Sequence, residues 1–105
     1  MGKPSRDKGQ RGEREFAAFL RDQGYDARRG VQFSGGPDSP DIVCEALPIH
    51  WEVKRVERLQ WQSAYDQATA EKGEGETPIV AHKRNHGEWM VTLKAADFFR
   101  LLREQ

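Results

Sequence analysis

Asp41, Glu52 and Lys54 carry charge where the sequence otherwise reads as buried strand. Asp41 directly precedes the apolar run Ile42-Val43-Cys44, and Glu52 and Lys54 flank Val53 inside a second run, Ile49 to Val56. Buried carboxylates and ammonium groups are costly unless they are paired or bound to a metal, so three of them at strand positions call for a physical reason. A carboxylate at the head of one strand beside a carboxylate in the middle of its neighbour can converge on one divalent cation. Oxygen-only ligation with open positions suits Mg²⁺, with Mn²⁺ as the alternative, because such ions keep several waters and bind through one or two carboxylates plus a phosphate. Two acids, such a cation and a lysine suit phosphodiester hydrolysis: the cation polarises the phosphate and acidifies a water, and the ammonium steadies the developing charge or helps deprotonate the attacking water.

The elements that must position these groups follow from periodicity. Phe16, Ala17, Phe19 and Leu20 recur at helical spacing and Gly24 stands where a helix would stop, which predicts a helix over about Glu13 to Gln23. Tyr25 to Phe33 reads as a strand carrying Arg28 and Arg29 and interrupted by Gly30, and SGGPDSP reads as a loop. Asp41 to Ala46 then forms a short strand, Leu47-Pro48 a turn, and Ile49 to Val56 an antiparallel hairpin partner. Alternation within that partner sends Ile49, Trp51 and Val53 to one face and His50, Glu52 and Lys54 to the other. Val56, Leu59, Ser63, Ala64, Gln67 and Ala68 mark a second helix ending near Gly73. Pro78 opens a strand over Ile79 to Lys83, Asn85-His86-Gly87 turns, Trp89 to Leu93 returns, and Ala95 to Arg103 forms a C-terminal helix. The order α-β-β-β-α-β-β-α is that of a mixed α/β domain with a central sheet and helices packed on it.

A chain of 105 residues supports one domain with a modest core. Its 17 basic and 17 acidic residues cancel, so a nucleic-acid site has to be local rather than a property of the whole surface. Basic residues do cluster early, at Lys3, Arg6, Lys8 and Arg11. That pattern divides the chain into a flexible basic arm over 1–12, which is either a solvated terminus or a contact to DNA backbone, and a single domain over 13–105. Cys44 is the single cysteine, which fits a core filler in a reducing, cytoplasmic protein. No apolar run approaches the roughly 18 residues of a membrane span. His82 and His86 flank a turn without cysteine partners, which argues against zinc. His50 is expected to be an ordinary satisfied or exposed histidine. Trp51 and Trp89 are expected in the core. Trp61 and Tyr65, one helical turn apart, are either a second flank of the core or a dimer contact.

Pro40-Asp41 followed by Glu52-Val53-Lys54 resembles the PD-(D/E)xK nuclease motif of restriction enzymes, repair nucleases and junction resolvases. The upstream segment RGEREFAAFLRDQGYDARRG, Arg11 to Gly30, extends this to a resemblance to the archaeal-type Holliday junction resolvases over nearly the whole chain. It implies a restriction-endonuclease-like fold, a mixed central β-sheet flanked by helices. Glu13, Asp41, Glu52, Lys54 and Gln67 are then the catalytic residues; Asp41, Glu52 and Val53 hold the metal; and Arg14, Arg29 and Ser34 bind DNA. The implied activity is Mg²⁺-dependent, structure-selective endonuclease action on four-way junctions by a homodimer, one active site per strand. Two departures matter. Asp38 also follows a proline, and Asp41 is preferred because a strand follows it at once; Arg28 competes with Arg29, and alternation puts the two on opposite faces. The small size suits a phage or mobile-element member, acting in host cytoplasm. The rival readings are a nuclease of the same fold acting on other repair or packaging substrates, and an inactive DNA-binding module.

Overall fold

Phe16, Ala17 and Leu20 are the residues that make the first helix form, because they give it an apolar stripe to bury. In the computed structural model, which describes residues 3–30 and 41–104 and side chains from residue 9 onward, this helix, α1, spans Lys3–Asp22. All three side chains are buried. The segment expected to be a flexible arm is thus helical from Lys3, with Pro4 in the first turn, where a missing N–H removes no hydrogen bond. Gly24 ends the helix with φ 99°; its N–H donates to Arg21 O, and Tyr25 N–H reaches back to Leu20 O at 3.0 Å. This left-handed cap is open to glycine at little cost.

Two sheets follow. Strands β1 (Arg28–Arg29) and β2 (Ile42–Val43) pair antiparallel, Arg28 opposite Val43. Strands β3 (Ile49–Arg55) and β4 (Thr77–Lys83) pair in parallel with Glu52 opposite Val80, and β5 (Met90–Thr92) pairs antiparallel with β4. Helix α2 (Trp61–Glu71) is the crossover between β3 and β4, and α3 (Ala95–Arg103) closes the chain. The element order and mixed α/β character match the expectation, and α3 has the expected bounds.

The expected hairpin between the two acid-bearing strands is corrected: β2 pairs with β1, and β3 with β4. The reason lies in burial. From His50 to Val53 every residue of β3 is buried, and a hairpin strand with one wet face would not produce that. Pairing in parallel with β4 brings the crossover helix α2 over one face of β3 while α1 covers the other, and that does. Pro78 is tolerated in β4 because β5 pairs only with Val80 to His82, leaving Pro78 with a neighbour on one side. The expected strand from Tyr25 to Phe33 shortens to Arg28–Arg29 in the described part, and 31–33 lie outside the described residues.

The two faces of β3 are unlike. Under α1, Trp51 and Val53 join Phe16, Leu20, Ile79 and Ala81, and the Phe16 ring centroid lies 4.9 Å from both Trp51 and Trp89. Cys44 is buried in the same cluster. Under α2 the apolar cluster is small: Ala64, Tyr65 and Ala68 against Val80. Tyr65 is therefore core, whereas Trp61 is about half exposed. Helix α3 buries none of its residues; Leu101 packs on the larger cluster, and the Arg100 guanidinium donates to Thr77 Oγ1 at 2.6 Å.

Gly12 fixes how closely α1 lies on the sheet. A Cβ there would stand 2.9 Å from Arg55 Cβ, which is rigidly attached to β3. Replacing a helix-interior glycine by alanine ordinarily stabilises by about 1 kcal/mol. Gly12→Ala is expected to reverse that sign and lower the thermal midpoint, by about 1 kcal/mol or more of overpacking, read as the calorimetric melt of both proteins.

Candidate active site

Asp41 is held by both ends. Its carbonyl accepts from Gly30 N–H at 2.9 Å, extending the β1–β2 pairing, and its Oδ2 accepts from Val53 N–H at 3.1 Å. The side chain thus does what the missing hairpin ladder would have done, and places Asp41 beside Glu52. Glu52, in the middle of β3, is 2% exposed. Lys54, two residues on and on the same face, sits with Nζ 3.7 Å from Glu52 Oε2 and donates to Gln67 Oε1 at 3.5 Å. Glu13 comes from α1 and accepts from Arg29 Nε at 3.0 Å. Glu13, Asp41, Glu52, Val53, Lys54 and Gln67 line one cleft of about 480 Å³, with Gly9 of α1 at its rim.

The electrostatics are those of crowded acid. Burial pushes the Asp41 carboxyl up, to about 7, and the neighbouring Glu52 charge adds to the shift. Glu13 is raised as well, again by burial first, although Arg29 pulls the other way. A divalent cation between such groups would relieve their repulsion, and a set made of carboxylate oxygens in an open cleft fits Mg²⁺ or Mn²⁺.

The remaining expected residues are more dispersed. Arg14 is exposed on α1, and Arg29, about a third exposed, reaches the site through Glu13 while Arg28 points to solvent. Ser34 and the alternative acid Asp38 lie outside the described residues. Arg55, next to Lys54, bonds Glu15 of α1 at 3.3 Å and Asn85 at 2.6 Å, and Lys83 Nζ approaches the same Glu15 oxygen at 3.6 Å. These contacts pin α1 over the ends of β3 and β4, and so hold Glu13 at the cleft.

Two residues went unrecognised in the sequence. His50, expected to be ordinary, is buried with Nε2 3.6 Å from Glu52 Oε1 and 3.9 Å from Glu71 Oε1. Glu71 closes a ring by accepting from Gln67 Nε2 at 3.4 Å. Alternation had already put His50 on the face of Glu52, and Glu71 lies one helical turn beyond Gln67; those were the available signals.

The Asp41 shift has a consequence for stability. Unfolded, the group ionises near the ordinary value of 3.8, and folded near 7. Between these values the unfolded chain binds fewer protons, so this group lowers stability as pH rises from about 4 to 7, and its cost is complete above 7. In EDTA, Asp41→Asn is expected to melt above wild type at pH 8, by on the order of 2 kcal/mol after allowance for partial exposure, with the gap closing towards pH 4. A pH-independent gap would place the effect elsewhere than in ionisation.

Among known proteins, the family model for archaeal Holliday junction resolvase (hjc) matches residues 4–98. No curated protein and no solved structure matches the chain. The matched span runs from the first turn of α1 into α3 and takes in every residue of the cleft. The chain belongs to the archaeal Holliday junction resolvase (hjc) family, with the α/β, restriction-endonuclease-like architecture that such membership carries.

Proposed function

We propose that this chain is a divalent-metal-dependent endonuclease that resolves four-way DNA junctions by paired phosphodiester hydrolysis. The observation that carries the reading is the convergence of Glu13 from α1, Asp41 from just before β2, Glu52 and Lys54 from β3 and Gln67 from α2 on one cleft in a chain of the resolvase family. Asp41, Glu52 and Val53 would hold the ion, Val53 through its main chain since its side chain is apolar. Bound there, Mg²⁺ or Mn²⁺ would supply Lewis-acid polarisation of the phosphate and a more acidic water. Lys54 presents its ammonium to the charge that develops on phosphate, and Gln67 holds that ammonium in place. Glu13 faces the same cleft and is oriented by Arg29.

Arg14 and Arg29, with Ser34, bind the phosphate backbone, so recognition rests on branch geometry with little base reading. Resolution takes two nicks in symmetry-related strands, which a homodimer with one site per protomer would supply. The helical N-terminal segment, with Lys3, Arg6 and Lys8 before Gly9 of the cleft and Arg11 just after it in sequence, is suited to a duplex arm. Among the described residues no helix is long and apolar enough to cross a membrane.

The test is cleavage of an immobile four-way junction beside matched duplex and single strand, with Mg²⁺ or EDTA. Symmetric, metal-dependent nicking of the junction alone is expected, and Asp41→Ala should lose at least about 10³-fold in rate while still binding the junction. Equal cutting of plain duplex would leave a nuclease and remove the resolvase, and binding without cutting by wild type would mean an inactive module. Arg14→Ala should weaken junction binding and flatten its log–log salt slope by about 0.9 for each phosphate that Arg14 neutralises. An unchanged slope would take Arg14 out of the interface.

A further inference from the structure

On the α2 side of β3 the structure gathers a second donor set, to which Asp41 does not belong. His50 Nε2, Glu52 Oε1 and Glu71 Oε1 face one another, and one ligand atom from each of the three residues lies within 4.8 Å of the others. His50 and Glu52 side chains are 4% and 2% exposed, yet His50 Nε2 and Glu52 Oε1 have no hydrogen-bond partner among the described residues. A protonated His50 pairs with Glu52 at 3.6 Å, which is longer than a hydrogen bond, and an ion between the two atoms would satisfy both. Nothing in the fold requires them there: β4 offers only Val80 opposite Glu52.

We propose that His50, Glu52 and Glu71 form a site for a divalent first-row transition metal, with a donor set distinct from that of the Asp41 cleft although Glu52 is common to both. An ion at about 2.0–2.2 Å from nitrogen and oxygen donors needs those donors about 3–4 Å apart. His50 already meets that spacing with both acids, and Glu71, a quarter exposed, has the freedom to complete it. The imidazole sets the ion class, since Mg²⁺ prefers all-oxygen shells. A pocket of about 320 Å³, bordered by Cys44, Glu45, His50 and Glu76, lies beside His50. The two oxygens of Glu52 divide the work. Oε1 belongs to this site and Oε2 turns to Lys54 on the cleft side, so the two sites share one carboxylate.

The experiment uses tag-free full-length chain, stripped with EDTA and titrated with Mn²⁺ alone. Free ion is counted by electron paramagnetic resonance, and the bound ion is read by spin-echo modulation from nitrogen. The chain has three histidines, so a nitrogen signal is assigned by its loss in His50→Gln. Two ions per chain are expected, one of them nitrogen-coupled. His50→Gln should erase the coupling, Glu71→Gln should weaken the coupled ion by at least about tenfold, and Asp41→Asn should leave it in place. Should His50→Gln fail to fold, Glu71→Gln at its more exposed position decides by affinity. A single, nitrogen-coupled ion would support this site while counting against an ion in the cleft, so the two readings fail separately. Bound Mn²⁺ without nitrogen modulation, or modulation that survives in His50→Gln, would overturn the proposal.

Discussion

A carboxylate at the centre of the sheet is the constraint that organises this molecule. Glu52 is 2% exposed, and an ion of that kind costs several kcal/mol to desolvate unless its neighbours compensate. The neighbours arrive from every side: His50 and Lys54 from the same strand face, Asp41 from the bend just before β2, Glu13 from α1, and Gln67 and Glu71 from α2. Among these groups the cations are Lys54 and a protonated His50, with Arg29 beside Glu13, so the cluster is acid-rich as it stands. Divalent cations are the natural complement to such an arrangement.

The rest of the fold is shaped to tolerate this. The α1 face of β3 is tightly aromatic, with Phe16 between Trp51 and Trp89, and it carries most of the buried apolar surface. The α2 face has little more than Ala64, Ala68, Tyr65 and Val80. Small residues there are what let α2 approach the sheet, and that approach brings Gln67 and Glu71 within reach of Lys54 and His50. Stability and chemistry are thus divided between opposite faces of one strand. Parallel pairing with β4 through α2 covers one face and α1 covers the other, which makes the division possible.

Much of this was legible from local pattern. Period-two alternation assigned His50, Glu52 and Lys54 to one face, helical spacing found α3 and the body of α2 but began α2 too early, at Val56 rather than Trp61, and the family resemblance named every residue that lines the cleft except Gly9, Arg55 and Val56. What was not legible is non-local. Nothing near β3 announces that its hydrogen-bonding partner begins at Thr77, so proximity in sequence points to a hairpin that the fold does not form. The start of α1 was missed because Lys3 to Arg11 has no apolar periodicity; its helicity was hidden by polar residues and glycines. Glu71 ends α2 whereas Glu52 is in the middle of β3, and only the βαβ crossover brings them together. The Arg29–Glu13 pair likewise joins two residues each assigned a separate role, and shows that the arginine orients an acid of the cleft.

The directions of the acid shifts reveal what the site costs the fold. Glu13, Asp41 and Glu71 are all raised, each by burial first, so every one of them opposes folding once the unfolded chain has ionised. A core designed for stability alone would replace them with apolar residues, as buried ion clusters can often be replaced without loss. Their persistence on a face with so little apolar packing means that the aromatic face must offset them, and that a bound cation would stabilise the native state by mass action as well as by chemistry. Metal affinity and folding are therefore linked in this protein through the same carboxylates. Substitutions that weaken α1 packing at Phe16 or Gly12 would reach the site not by moving its ligands directly but by removing the margin that lets buried acid be held at all.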